Sequence, residues 1–232
     1  MDNRILQGTS CTISTHTCKC FEKLSNAELN FIDANSVVIN YKKHETICKQ
    51  GSFVSHIMVV EKGLAKVYMD GGSRSLVLKI IPEGNLLGLT SLSEEHNTYA
   101  YSAMTYVESV IKLIDINAFR QLVKQNAEFA KEVIDILSAN SIQINGRFFC
   151  LTHKQAYGRL ADIILCLSRL IFKKNEFELP LSRKELAELS GMSPETVIRM
   201  IKKFSDDGLI EMNGKGFKVL DYERLINISE KG

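Results

Sequence analysis

The chain has 232 residues, of which 29 are basic and 27 acidic, for a net charge of +2. With 45% hydrophobic and 24% charged residues its composition is that of a globular protein, which excludes a disordered chain and fits one large domain or two small ones. No apolar run approaches the ~20 residues of a membrane span and none of signal-peptide length opens the chain, so no membrane partner is expected and the cytoplasm is the expected location. Six cysteines are too few for a disulfide scaffold.

From Phe21 to about Leu113 the chain reads as β. Short runs rich in Val, Ile and Tyr, such as 36–41, 57–60, 65–69 and 76–81, are cut by Gly51, Gly63, Gly71, Gly72, Gly84 and Gly88. Strands at that spacing with turn signals between them predict an all-β barrel or sandwich. Asp70-Gly71-Gly72-Ser73 predicts a hairpin turn, because these residues tolerate positive φ.

The period then changes. Between Ile116 and about Phe172 there is no proline, and the only glycines are Gly146 and Gly158. Ala130, Val133, Leu137, Ser141, Ile144 and Phe148 recur by threes and fours, which predicts a long helix with a coiled-coil-like seam. Such a stripe serves either to pack a helix on its own β domain or to pair two chains. Its length, and its place between two domains, favour a homodimer. Lys173-Lys174-Asn175-Glu176 then reads as a surface turn.

The strongest motif lies in the last third. Ser182-Arg183-Lys184-Glu185 is a capping box at a helix start, and Gly191 suits the left-handed residue that ends that helix. Ser193 as N-cap and Pro194 at the first helical position start a second one. Ala187, Gly191 and Val197 sit at the offsets of a helix-turn-helix: a small residue where the helices cross, a glycine in the turn, and a core plug with Ile201 and Phe204 below it. The core stripe leaves Pro194, Glu195, Ile198, Arg199, Lys202 and Lys203 facing outward.

Such a helix enters the major groove. Arg199 can bond bidentately to guanine, Glu195 can accept from cytosine, and Lys202 and Lys203 suit phosphates. Glu195 and Arg199 would otherwise form a surface i,i+4 ion pair worth a few tenths of a kcal/mol. Ser193 and Thr196 complete the candidate set on this helix. Asn213-Gly214 between two apolar runs predicts a hairpin wing, with Lys215 at its tip as a further DNA contact. Residues 151–232 hold 14 basic and 12 acidic side chains, so a local patch rather than the domain's charge must draw DNA, with marked salt dependence.

These residues resemble the Crp/Fnr superfamily of transcription regulators. Lys49-Gln50-Gly51, the run 60–68 and the run 81–88 look like its cyclic-nucleotide-binding β-roll. Phe119 to Leu160 looks like its dimer helix and hinge, and Gly191 to Arg199 like its recognition helix. The resemblance implies an α+β fold. A double-stranded, jelly-roll-like β-roll at 21–115 follows an N-terminal extension at 1–20. A dimerisation helix region at 116–151 leads to a winged helix-turn-helix at 152–232. It implies a homodimer on a two-fold symmetric double-stranded site, and RNA polymerase as a partner if the protein activates.

Within that resemblance the effector pocket falls on Leu87, Gly88, Leu89, Thr98, Tyr99 and Ala100. Leu89 stands where the family has a ribose-binding glutamate, and Tyr99-Ala100 where Arg-Ser holds the phosphate. A buried cyclic phosphate without a cation is costly, so cyclic AMP is not the expected effector. Cys11, Cys18 and Cys20 precede the first β segment, as cysteines do in oxygen-sensing members. The fourth ligand position falls on Lys112, with Cys48 the nearby substitute. An iron–sulfur cluster on Cys11, Cys18, Cys20 and Cys48, or a haem on His16, His44, His56 or a cysteine, is the alternative cofactor reading. Neither a P-loop, an H-E-x-x-H nor a nucleophile elbow occurs, so an enzyme is not expected. A helix-turn-helix used for protein contact is the remaining alternative.

Overall fold

The computed structural model describes residue 13, residues 18–72 and residues 75–232. Cys11 and His16 lie outside the described residues. The chain divides into two compact units, one taking in Ser14–Asp70 and Ile80–Ser141, the other Gly71–Lys79 and Ile142–Gly232. No helix among the described residues is long and apolar enough to cross a membrane.

The first unit opens with α1 (Asn26–Ala34), started by a capping box. Ser25 Oγ accepts from the Glu28 amide, and Glu28 Oε2 accepts from the Ser25 amide at 2.8 Å. That bond holds the Glu28 carboxyl below the usual carboxylate range. Eight strands follow, of which β5 begins in the residues of the second unit: β1 (Ser36–Tyr41), β2 (Thr46–Cys48), β3 (His56–Lys62), β4 (Leu64–Asp70), β5 (Ser75–Pro82), β6 (Leu86–Leu87), β7 (Ser102–Thr105) and β8 (Ser109–Asp115). They form two four-stranded sheets, ordered β1-β8-β3-β6 and β2-β7-β4-β5.

Antiparallel pairing sets the registers. Ser36 opposes Ile114, Ile57 opposes Ile114 from the other side, and Ala65 opposes Thr105. Ile57, Met58, Val60, Val67, Val77, Ile80, Ile111 and Ile114 are buried. Burying such β-branched and aliphatic side chains is worth roughly 1.5–3 kcal/mol each. This is the β-roll that the resemblance implies.

The sheets are followed by α2 (Ile116–Gln125) and α3 (Ala127–His153). Asp115 caps α2 by accepting from the amides of Asn117 and Ala118. Phe119 of α2 meets Phe129 of α3 with ring centroids 5.1 Å apart and tilted, the arrangement that aromatic quadrupoles favour.

The structure leaves only part of the predicted seam in solvent. Val133 is 2% exposed and belongs to one core cluster with Ile57, Ile114, Phe119, Phe129 and Ile136. Leu137 packs against that cluster and Ala130 is half-buried. Val133 therefore has no surface left for a second copy, whereas Ala130 and Leu137 keep part of theirs. The exposed stripe of α3 is another one. Ile134, at 60% exposure, and Phe148, at 67%, bracket exposed Ser138, Ser141 and Asn145 at spacings of four, three, four and three. Ile142, Ile144 and Phe149 are exposed beside them.

The second unit is helical with a small sheet. It holds α4 (Ala156–Cys166), a wide π-type turn (Leu167–Phe172), β9 (Glu176–Glu178), α5 (Arg183–Ser190), α6 (Pro194–Asp206), the hairpin β10 (Ile210–Asn213) and β11 (Gly216–Val219), and α7 (Tyr222–Lys231). The sheet order is β10-β11-β9, with Asn213 opposite Gly216 across the predicted turn. Leu160, Leu179, Leu186, Leu189, Val197, Phe204 and Phe217 are buried together with Ile164 and Ile201.

Candidate nucleic-acid interface

Each helix of the motif is started and stopped by local chemistry. Ser182 Oγ accepts from the Glu185 amide at 3.2 Å and Glu185 Oε2 accepts from the Ser182 amide at 2.7 Å, so the box of α5 closes. Gly191 ends α5 at φ 63°, and a Cβ built there would lie 2.9 Å from Leu151 Cδ2. The left-handed backbone is what calls for glycine, since the Leu151 methyl is the end of a side chain that can shift. The Met192 amide donates to Ala187 O at 3.0 Å, which tightens the turn. Ser193 Oγ then accepts from the Thr196 amide at 3.2 Å, with Pro194 in the first turn.

Val197, Ile201 and Phe204 are the buried face of α6. Glu195, Ile198, Arg199, Lys202 and Lys203 are exposed, while Pro194 and Thr196 are half-buried. The predicted outward residues thus share one side of α6, though not all are equally available. Ser193 and Thr196 spend their hydroxyls on each other and on the cap, 3.1 Å apart. The Lys203 ammonium lies 4.9 Å from the centre of the Tyr157 ring, a cation–π contact that draws it back along the helix. Tyr157 also donates to Asp207 Oδ2 at 2.8 Å. Burial, with that hydrogen bond second, pushes its phenol up to about 12. No sequence pattern marked Tyr157.

In the wing, Lys215 is exposed at the turn and its carbonyl accepts from the Leu179 amide at 2.9 Å. Lys218 is 3.4 Å from Glu176 of the neighbouring strand. An exposed pair of that kind contributes little. Glu195, Ile198, Arg199 and Lys202 on α6, with Lys215 on the wing, can meet base edges and phosphates.

The predicted effector positions fall in the β-roll around the β6 turn. Leu87, Leu89 and Tyr99 are buried, whereas Thr98 and Ala100 are exposed. The Gly88 amide donates to Tyr101 Oη at 2.7 Å. Tyr99 Oη donates to His56 O at 2.8 Å. Burial raises both phenols above their ordinary value, so both stay neutral. Arg120 of α2 donates to the carbonyls of Leu92, Ser91 and Ser93 at 2.9, 3.0 and 3.2 Å, and so pins the loop after Gly88 to α2.

Cyclic AMP held by the family's usual contacts does not fit these residues. Leu89 offers its ribose no acceptor, and the Gly88 amide at the start of the cassette is already bonded to a phenol. Neither Tyr99 nor Ala100 offers a buried anion a charge-assisted partner. Tyr101 and Arg120 were missed by sequence reasoning, because their partners lie 13 and 27 to 29 residues away.

Cys18 and Cys20 are adjacent in space, with the Cys20 amide donating to Cys18 Sγ at 3.4 Å. The bond from the Cys20 thiol lowers the Cys18 pKa, while the same bond and burial raise that of Cys20. Cys48 is buried in β2, which pushes its thiol up to about 12. Among the described residues no three His, Cys, Asp or Glu side chains gather where a metal could be held. Cys48 therefore does not join Cys18 and Cys20, and the described residues do not assemble the donors of a four-thiolate cluster. His56 turns its Nδ1 to Ser55 Oγ at 2.7 Å.

The contrast among the thiols is testable. In the folded protein Cys18, half-buried and with a lowered pKa, is expected to react with iodoacetamide about tenfold faster than Cys20, Cys48, Cys150 or Cys166, which are buried. Time-resolved alkylation read by peptide mass mapping checks this, and equal rates would refute it.

A β-roll followed by a long helix and a winged helix-turn-helix defines the class: a DNA-binding regulator carrying a sensor-type domain. Comparison with known proteins agrees. The model of the cyclic nucleotide-binding domain matches residues 38–126, and that of the Crp-like helix-turn-helix domain matches residues 158–228. The chain is 27% identical over 186 residues to the transcriptional activator protein FnrA of Stutzerimonas stutzeri, covering 78% of this chain and 75% of that one. It is 25% identical over 186 residues to the cAMP-activated global transcriptional regulator CRP of Escherichia coli, covering 75% and 85%. Among solved structures it resembles FixK2 of Bradyrhizobium japonicum, at TM-score 0.76 and 18% identity over 83% of this chain and 96% of that one. The chain belongs to the Crp/Fnr superfamily and is a transcription regulator with a helix-turn-helix DNA-binding domain.

Proposed function

We propose that two copies of this chain pair through α3 and present their α6 helices to successive major-groove faces of a two-fold symmetric DNA site, and that the effector, if one is used, is not cyclic AMP held by the family's usual contacts. The observation that carries this reading is the division of α6. Val197, Ile201 and Phe204 are buried, while Glu195, Ile198, Arg199 and Lys202 stand together in solvent. The stripe from Ile134 to Phe148 supports pairing, because apolar side chains so exposed on one long helix gain by burial against a copy of themselves. RNA polymerase is the further partner if the protein activates, as the name of its FnrA relative says of that protein. The β-roll remains the sensor domain of this reading, at 21–115, and the helix-turn-helix its output, at 152–232.

The test is a double variant, Ile134→Asp with Phe148→Asp, compared with wild type by sedimentation equilibrium and by binding to a duplex selected from random sequence. Four new charges in the paired stripe are expected to give a monomer at micromolar concentration. Affinity should then fall by about 100-fold or more, because each half-site binds alone without the gain in effective concentration. A variant that stays dimeric, or a monomer that binds as tightly, would overturn the reading.

A further inference from the structure

Ile198 is the one large aliphatic side chain on the exposed face of α6, at 53% exposure, with the charged residues Glu195, Arg199 and Lys202 around it. It is not among Val197, Ile201 and Phe204, the buried residues of this helix. A single exposed isoleucine is ordinary on a protein surface. Its position is what distinguishes it. Residues 195, 198 and 202 succeed one another at spacings of three and four, so they line one stripe, and Arg199 stands next to that stripe. When α6 enters a major groove, Ile198 is carried in with the side chains that can read bases.

Within that groove the four base pairs offer hydrogen-bond donors and acceptors, and only thymine also offers an apolar group, its C5 methyl. An aliphatic side chain set against an exposed N6, O6 or N4 would strip that edge of water and return no hydrogen bond, which is unfavourable. Set against a methyl it buries apolar surface from both sides. We infer that Ile198 is a specificity-determining residue that reads a thymine methyl in each half-site, next to the base pair met by Arg199 or Glu195. The inference rests on the DNA-reading role of α6 proposed above.

The experiment starts from a duplex selected by the wild-type protein and replaces each thymine of the two half-sites, one symmetric pair at a time, by 2′-deoxyuridine. This removes the methyl and leaves every hydrogen-bonding edge intact. Burying one methyl is worth about fourfold in affinity, so losing two in a symmetric site is expected to cost the wild type about fifteenfold at one thymine pair. The Ile198→Ala variant should bind the thymine and uracil duplexes alike, which isolates the pairwise contact. The inference is overturned if the selected half-site holds no thymine, if no uracil pair costs more than twofold, or if Ile198→Ala loses as much as wild type. If those results come with a protein whose selected site still depends on Arg199, only the methyl contact fails. If the wild type selects no sequence at all, the DNA-reading role of α6 fails with it.

Discussion

Replacing Arg199 by alanine is expected to abolish most discrimination between the selected duplex and a scrambled one. Arg199 is exposed beside Glu195 and Lys202 on the face of α6 that turns away from its core. A bidentate arginine–guanine contact contributes ~1–3 kcal/mol per half-site, and a symmetric site holds two. The affinity ratio between the two duplexes should therefore fall by about 30-fold to about 10⁴-fold, while binding to the scrambled duplex changes little. Fluorescence anisotropy titrations on both duplexes at one salt concentration read this ratio directly. Lys202→Ala is the contrasting case. It should weaken both duplexes alike and lower the slope of log affinity against log salt by about two, one for each copy of the helix. An unchanged ratio in Arg199→Ala would leave Arg199 a surface charge only.

The second large effect is expected on stability, at Asp162. This aspartate is buried in α4 and is the shared acceptor of three elements. The Lys154 ammonium reaches its two oxygens at 3.0 and 2.8 Å, Ser229 of α7 donates to Oδ1, and Cys150 Sγ of α3 lies 3.4 Å from Oδ2. Burial, reinforced by the Asp162 charge, pushes the Cys150 thiol up to about 11, so it stays protonated and donates. The side chains of Lys154 and Asp162 are 13% and 7% exposed. Asp162→Ala leaves a buried ammonium without its counter-charge and should cost ~3–5 kcal/mol. The double variant Asp162→Leu with Lys154→Met removes both charges and should recover most of that loss. Urea unfolding of the full chain measures both, and a single variant within 1 kcal/mol of wild type, roughly the error of such comparisons, would refute the assignment.

The Asp162 cluster also ties α7 to α4. A Cβ at Gly158 would lie 2.8 Å from the backbone of Gly232 just beyond α7. The α4–α7 contact is thus built from a close backbone approach and a buried charge pair. Neither has a sequence signature, since Lys154, Asp162 and Ser229 are ordinary residues until the fold brings them within hydrogen-bond reach.

Local chemistry accounts for what could be read in advance. The capping box at Ser182, the left-handed glycine at 191, the Ser193-Pro194 start and the Asn213–Gly216 turn each act over four residues or fewer, and each closes as its residue types require. The β segments were marked by β-branched runs and glycine punctuation for the same reason. Which way α3 turns could not be read so. Apolar residues lie on two of its faces, Phe129, Val133 and Ile136 on one, Ile134, Ile142 and Phe148 on another. A heptad count accepts a mixture of both. Only the packing of Val133 against Phe119 and Ile114 decides which stripe is core and which is free.

The same holds in the β-roll and on the recognition helix. The absence of an arginine at Tyr99-Ala100 was plain from residue types, but the phenol of Tyr101 on the Gly88 amide was not. Nor was the withdrawal of Lys203 onto Tyr157, 46 residues away in the chain by their numbers. Helix starts, helix ends and hairpin turns depend on neighbours in the chain and follow from residue type and spacing alone. The face a helix buries, the donor a pocket has already used and the partner a buried charge finds depend on residues remote in the chain, and these contacts exist only once the elements have packed.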